Sequence, residues 1–60
     1  MSIDPILVVD DDDNLRQTLV AALESLPVEI TEADSGRAAV EILKNRRFAV
    51  VVTDLVMKDL

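Results

Sequence analysis

The sequence has no cysteine, histidine, tryptophan or tyrosine, and only one phenylalanine and one glycine. Without cysteine or histidine, the chain cannot form disulfides or bind metals through thiolate or imidazole groups. It also cannot use a cysteine nucleophile, or histidine as a general acid or base. Any chemistry of this chain must therefore use carboxylates.

Basic residues are scarce too, because 6 lysines and arginines stand against 12 aspartates and glutamates, which gives a formal net charge of −6. This charge repels the phosphate backbone of nucleic acid, so we expect no binding to it. The longest apolar runs, residues 6–9 and 48–52, fall far short of the roughly 20 residues that a membrane helix needs. No basic flank precedes the first run, as a secretory signal would require. We expect one small cytoplasmic domain over residues 1–60.

Three segments have the apolar patterns of strands. Residues 6–9 form an unbroken branched apolar run, which is typical of a strand covered on both faces. Residues 28–33 alternate apolar and polar side chains, which favours an edge strand. Residues 48–53 are the clearest strand of the sequence, and Asp54 follows them.

Two segments have helical spacing. After the run of four aspartates at 10–13, one apolar stripe predicts a helix that Asp12 or Asp13 caps and Pro27 ends. A second helix is predicted after the turn at 34–36, with Ser35 as its cap. The first stripe consists of Leu15, Leu19, Ala22, Leu23 and Leu26, and the second of Ala39, Val40 and Leu43.

Strands that alternate with helices predict an α/β fold with a parallel sheet, because such units make right-handed crossovers. If the chain reverses direction across the first strand, the strand order is 2-1-3 and helices cover both faces. The carboxyl ends of the first and third strands then lie side by side. We expect Asp10, Asp11 and Asp54 to share that crevice.

Three carboxylates in one crevice repel each other unless a cation joins them. Mg²⁺ is the natural partner, because it takes oxygen ligands, usually one or two carboxylates with waters completing the shell; Mn²⁺ has the same preference. The alternative for an aspartate run is a solvated loop that caps a helix, and we assign Asp12 and Asp13 to that role.

Four motifs in order along the chain resemble the receiver domain of bacterial two-component response regulators. They are Ile-Leu-Val-Val-Asp-Asp-Asp at 6–12, Asn-Leu-Arg at 14–16, Glu-Ala-Asp-Ser-Gly at 32–36 and Val-Val-Thr-Asp-Leu-Val-Met at 51–57. The resemblance implies a flavodoxin-like fold of five βα units, of which residues 1–60 correspond to the N-terminal half.

The resemblance also implies functional roles. Asp54 becomes the phosphoacceptor, Asp11 a direct Mg²⁺ ligand, Asp10 a metal-site acid acting through water, and Val56 a ligand through its carbonyl oxygen. The phosphoryl donor would be a sensor histidine kinase or a phosphotransfer protein. The chain would then be a phosphorelay signalling module and not an enzyme.

Two departures from the family pattern bear on that reading. Receivers commonly have proline where this chain has Lys58, which removes a backbone restraint near the Val56 carbonyl. The hydroxyl residue and the lysine that the family carries on its fourth and fifth strands have no counterpart within residues 1–60.

Two other functions remain open from the residues. The strand followed by Asp10 and Asp12 also fits haloacid-dehalogenase-like phosphatases, with Asp10 as nucleophile and Asp12 as general acid, although Asp13 and Asn14 replace that family's usual Gly-Thr. Alternatively, the chain is an interaction module without phosphotransfer. An apolar third strand at the sheet edge would favour a homodimer.

Overall fold

The computed structural model describes residues 4–53, which form three strands and two helices. The strands are β1 (Asp4–Val9), β2 (Val28–Ala33) and β3 (Val50–Thr53), and the helices are α1 (Asp13–Leu23) and α2 (Gly36–Asn45). Neither helix of this part of the chain is long and apolar enough to cross a membrane.

The strands form one parallel sheet in the order β2-β1-β3. The predicted α/β architecture and strand order are confirmed. The chain passes from β1 through α1 to β2, which lies on one side of β1. It then passes through α2 to β3, which lies on the other side of β1. Two right-handed crossovers in opposite directions place the helices on opposite faces of the sheet, as the sequence predicts.

The core is centred on β1, whose apolar side chains point alternately to the two faces. Leu7 and Val9 face α2 and pack in a buried cluster with Ala33 and Ala39. Val8 points to the opposite face and has no exposed surface. A central strand loses solvent from both faces, which explains why its sequence is apolar without alternation.

Both predicted helix caps are present. The Asp12 side chain accepts a hydrogen bond from the Leu15 amide at 3.1 Å, and the Ser35 hydroxyl accepts one from the Ala38 amide at 3.0 Å. Each bond satisfies an amide that has no partner within its own helix.

The predicted apolar stripe of α1 is wrong at three positions. Leu15 is 45% exposed, Ala22 is also exposed, and Leu26 lies beyond the end of the helix and is 52% exposed. The partly buried residues are instead Arg16, Leu19, Val20 and Leu23, which have the i, i+3, i+4, i+7 spacing of one helix face. The face that meets the sheet is therefore rotated from the one with the most leucines, because Arg16 occupies one of its positions.

The predicted stripe of α2 is wrong at two of its three positions. Ala39 is buried, but Val40 and Leu43 are 52% and 43% exposed. Ala38 and Ile42 pack against the core cluster instead.

Two strand boundaries also differ from the prediction. β1 begins two residues earlier, at Asp4, and β3 begins two residues later, at Val50. Phe48 packs against the core cluster, and the Ala49 amide donates to the Pro5 carbonyl at 2.8 Å, so residues 48–49 lead into β3 rather than extending it.

Candidate functional site

Asp10 follows β1 directly and is the one buried charged residue of the described chain, with 2% of its surface exposed. Its backbone amide donates to the Ala33 carbonyl at 3.1 Å, which continues the pairing of β1 with β2. Its carboxylate oxygen Oδ1 accepts the Asp12 amide at 2.8 Å and closes a tight turn. A short aspartate can accept such a bond from the residue two positions ahead, which lets the chain leave the sheet and enter the helix at once.

The next three aspartates have different surroundings. Asp12 caps α1, as described above. Asp13 lies in the first turn of α1 and pairs with Arg16, with 2.6 Å between Oδ1 and Nη2. Asp11 is exposed, and within residues 4–53 its carboxylate has neither a hydrogen-bond nor an ion-pair partner. Of the four consecutive acids, Asp11 alone has a carboxylate without a hydrogen-bond or ion-pair partner in the described part of the chain.

Arg16 is a feature of this site that the sequence analysis missed. Its side chain is 13% exposed, and its guanidinium donates to Asp13, to Glu32 of β2 at 3.0 Å, and to the Asp10 carbonyl at 2.8 Å. The hydrogen bonds that Arg16 donates to Asp13 and then to Glu32 raise the pKa of Arg16 above its ordinary value. The signal in the sequence was the i, i+3 spacing of Asp13 and Arg16 on one helix face.

The carboxyl ends of β1 and β3 lie side by side, because Val9 pairs with Thr53 in the parallel register. Asp10 and Asp11 therefore occupy the predicted edge of the sheet. The other two predicted site residues, Asp54 and Val56, lie outside the described residues. Within residues 4–53, no three acidic side chains stand close enough together to hold a metal ion by themselves.

Comparison with known proteins decides the family. The model of the response regulator receiver domain matches residues 6–60 of the chain. The chain belongs to the receiver-domain family. The resemblance drawn from its four motifs is thereby confirmed, and its place in two-component signalling follows.

Two curated response regulators illustrate the relationship. This receiver is 38% identical over 55 residues to the response regulator receiver protein CpdR of Brucella abortus (strain 2308), covering 92% of this chain and 46% of CpdR. It is 36% identical over 55 residues to the transcriptional regulatory protein SrrA of Staphylococcus aureus (strain NCTC 8325 / PS 47), covering 92% of this chain and 23% of SrrA. The chain thus spans less than half the length of these relatives.

No solved structure matches the chain. Membership in the receiver family favours the signalling interpretation of Asp10 and Asp11 over the dehalogenase-like one. The geometry agrees, since Asp12, the general acid in that alternative, has its carboxylate engaged at the start of α1.

Proposed function

We propose that this receiver accepts a phosphoryl group on Asp54, with help from Mg²⁺ or Mn²⁺ held at Asp10, Asp11, Asp54 and the Val56 carbonyl. The donor is a phosphohistidine on a sensor histidine kinase or a phosphotransfer protein. The chain then acts in the cytoplasm as a signalling module and not as an enzyme. Family membership supports interaction with such donors.

The observation that carries the proposal is the uncommitted carboxylate of Asp11. It follows the central strand of a parallel sheet, at the edge where such folds bind their ligands. Its neighbours in sequence are already engaged in the turn and the helix cap. Asp54 directly follows Thr53, the residue of β3 that pairs with Val9.

The side chains on this edge suit a hard divalent cation. They offer oxygen atoms only, and the chain has no histidine or cysteine that would favour a softer metal. Mg²⁺ typically binds one or two carboxylates and keeps several waters, which agrees with the small number of ligands proposed here.

The proposed step is a direct transfer. A carboxylate oxygen of Asp54 attacks the phosphorus atom, an O–P bond forms, and the N–P bond of the donor breaks as its imidazole takes up a proton. A divalent cation held at Asp10 and Asp11 would supply neutralisation of the charge on the phosphoryl oxygens. The remaining contribution of the chain is to hold the reacting carboxylate in line with the donor.

Labelling with acetyl phosphate and mapping of the resulting acyl phosphate test the proposal. We expect the label on Asp54, and its loss in Asp54→Asn, which removes the nucleophilic oxygen with little change in shape. Asp34→Asn is the matched control, because Asp34 is an exposed aspartate that follows β2 at the same edge of the sheet. A label on Asp10 would instead support the phosphatase alternative, and undiminished labelling of Asp54→Asn would refute the assignment.

A metal titration tests the cation site separately. Asp11→Ala should weaken Mg²⁺ binding more than Asp12→Ala does, since the Asp12 carboxylate is engaged by the Leu15 amide. Equal losses in the two variants would mean that the aspartates attract the cation only as diffuse negative charge.

An assembly role is the second candidate, and the edge of the sheet supports it. Val50 and Val51 of β3 are 50% and 43% exposed, and β3 pairs only with β1 among the described residues. The opposite edge strand, β2, presents Glu29 and Glu32 in ion pairs. An apolar edge favours pairing with another strand, whereas charged residues discourage it. We propose β3 as the contact of a homodimer.

A further inference from the structure

Arg16 joins three parts of the fold at the proposed site. Nη2 donates to Asp13 in the first turn of α1 at 2.6 Å, and Nε donates to Glu32 on β2 at 3.0 Å. Nη1 donates to the backbone carbonyl of Asp10 at 2.8 Å. The side chain is only 13% exposed. Because each of its three nitrogens has a partner, the guanidinium is held in one place.

The carboxylates of Asp13 and Glu32 already neutralise the charge of the guanidinium. The bond to the Asp10 carbonyl is not needed for that purpose, so it indicates a further role for Arg16. That carbonyl belongs to the peptide group linking Asp10 to Asp11. A peptide group is planar, so the direction of its carbonyl fixes the direction in which the Asp11 backbone begins. The preceding peptide is fixed by the bond from the Asp10 amide to the Ala33 carbonyl at 3.1 Å. Both peptide groups that flank Asp10 are thus held, one by the sheet and the other by Arg16.

We infer that Arg16 is a positioning residue for Asp11, which it orients toward the proposed cation through the Asp10–Asp11 peptide. The inference rests on the proposed function and deepens it. The Asp11 carboxylate has no hydrogen bond or ion pair within residues 4–53, so the point from which its side chain extends is set by the backbone.

The positive charge of Arg16 should by itself weaken cation binding, whereas its positioning of Asp11 should strengthen it. Two positive charges repel each other, so removing the guanidinium charge without moving the backbone would strengthen cation binding. Loss of the hydrogen bond that holds the Asp10–Asp11 peptide group would weaken cation binding. The sign of the change in affinity therefore separates a positioning role from a purely electrostatic one.

Lysine cannot replace arginine in the positioning role. The planar guanidinium directs donors to three separate acceptors at once, whereas lysine offers a single nitrogen on a flexible stem. Arg16→Lys keeps the charge and loses the geometry, and Arg16→Gln loses both. A positioning role predicts weaker Mg²⁺ binding in both variants. A charge effect predicts unchanged binding in Arg16→Lys and tighter binding in Arg16→Gln.

The other arginine that pairs with a β2 glutamate provides a matched control. Arg46 contacts Glu29 at 3.0 Å, as Arg16 contacts Glu32. By the alternation of β2 side chains, the two glutamates point to opposite faces of the sheet, with Glu29 near the amino end of the strand. Arg46→Gln therefore removes a more exposed ion pair between an arginine and β2, far from the carboxyl edge.

The experiment is calorimetric titration of the full chain with Mg²⁺, repeated with Mn²⁺ by electron paramagnetic resonance, at a temperature where circular dichroism shows each variant folded. We expect about 10- to 100-fold weaker binding in Arg16→Lys and Arg16→Gln, the range typical of residues that orient metal ligands. Arg46→Gln should bind like the wild type. Asp11→Ala, titrated in parallel, reports on the proposed function itself.

A second readout needs no metal. Amide hydrogen exchange of Asp12, whose N–H donates to the Asp10 carboxylate at 2.8 Å, should accelerate in both Arg16 variants and stay unchanged in Arg46→Gln. A role in overall stability alone would instead accelerate exchange throughout the sheet in both Arg16 variants, not at Asp12 in particular.

The outcomes distinguish the two proposals. Weaker binding in Asp11→Ala together with wild-type or tighter binding in the Arg16 variants would overturn the positioning role and leave the proposed function standing. An equal loss in Arg46→Gln would also overturn it. A wild-type chain that binds neither Mg²⁺ nor Mn²⁺ would overturn both proposals.

Discussion

The same substitution in two strands tests whether β1 is the centre of stability. Val8 of β1 has 0% of its surface exposed, whereas Val50 of β3 is 50% exposed. Both side chains point to the α1 face of the sheet, because Val8 pairs with Val52 and Ile6 pairs with Val50 in the same register. Val8→Ala and Val50→Ala therefore remove the same atoms from the same face and differ in burial.

The expected losses follow from that difference. Val→Ala removes two methyl-sized groups, each worth about 0.8 kcal/mol when fully buried. At Val8 a cavity remains, which raises the total to about 2–3 kcal/mol. At Val50 about half the surface is already in water and no closed cavity forms, so the loss should be about 0.8 kcal/mol. A core of this size seldom supplies more than about 3–5 kcal/mol, so the change at Val8 removes most of it.

Urea unfolding followed by circular dichroism measures both variants. With a slope of about 1 kcal/mol per molar urea for a small chain, Val8→Ala should lower the midpoint by about 2–3 M or leave the protein partly unfolded without denaturant. Val50→Ala should lower it by less than about 1 M. Equal shifts, or a larger one at Val50, would refute the conclusion that the core is organised around β1.

Three other outcomes are expected. Asp12→Ala and Ser35→Ala should each lower the free energy of unfolding by about 1 kcal/mol in denaturant titrations, because each removes a helix cap; Asp12→Asn, which keeps an acceptor, should change it little. Light scattering over a dilution series should show association through the exposed edge of β3, and a well-folded monomer at micromolar concentration would contradict this. Mg²⁺ at about 100 times its dissociation constant should add about 2.7 kcal/mol to the free energy of unfolding, and this gain should disappear in Asp11→Ala.

Much of the fold could be predicted because its signals are local. The unbroken apolar run of β1 identifies a strand covered on both faces, and reversal of the chain direction across that strand leads to the 2-1-3 order. Ser35 could be identified as a cap, and the cap of α1 could be narrowed to Asp12 or Asp13, because short acceptors are favoured directly before a helix; the structure has Asp12 in that role. The adjacency of the carboxyl ends of β1 and β3 follows from the same order.

The features that escaped prediction depend on tertiary contacts. The face of α1 that meets the sheet contains Arg16, whose burial depends on Glu32 from a strand 16 residues further along the chain. Apolar spacing alone therefore favoured Leu15, which is 45% exposed. The roles assigned to Asp54 and Val56 are still predictions, because both residues lie outside the described part of the chain.

The four aspartates make different contacts, so they should differ in how well they tolerate substitution. Position 12 needs only a short acceptor, so serine, threonine or asparagine would serve. Position 10 needs a buried acceptor for an amide, a narrower choice that includes asparagine. Position 13 needs a carboxylate only as long as the residue three positions later is an arginine with which it can pair. The side chain at position 11 makes no hydrogen bond or ion pair in the described part of the chain. A sequence library selected for folding alone should therefore lose aspartate at this position first. A library selected for phosphoryl transfer should retain it.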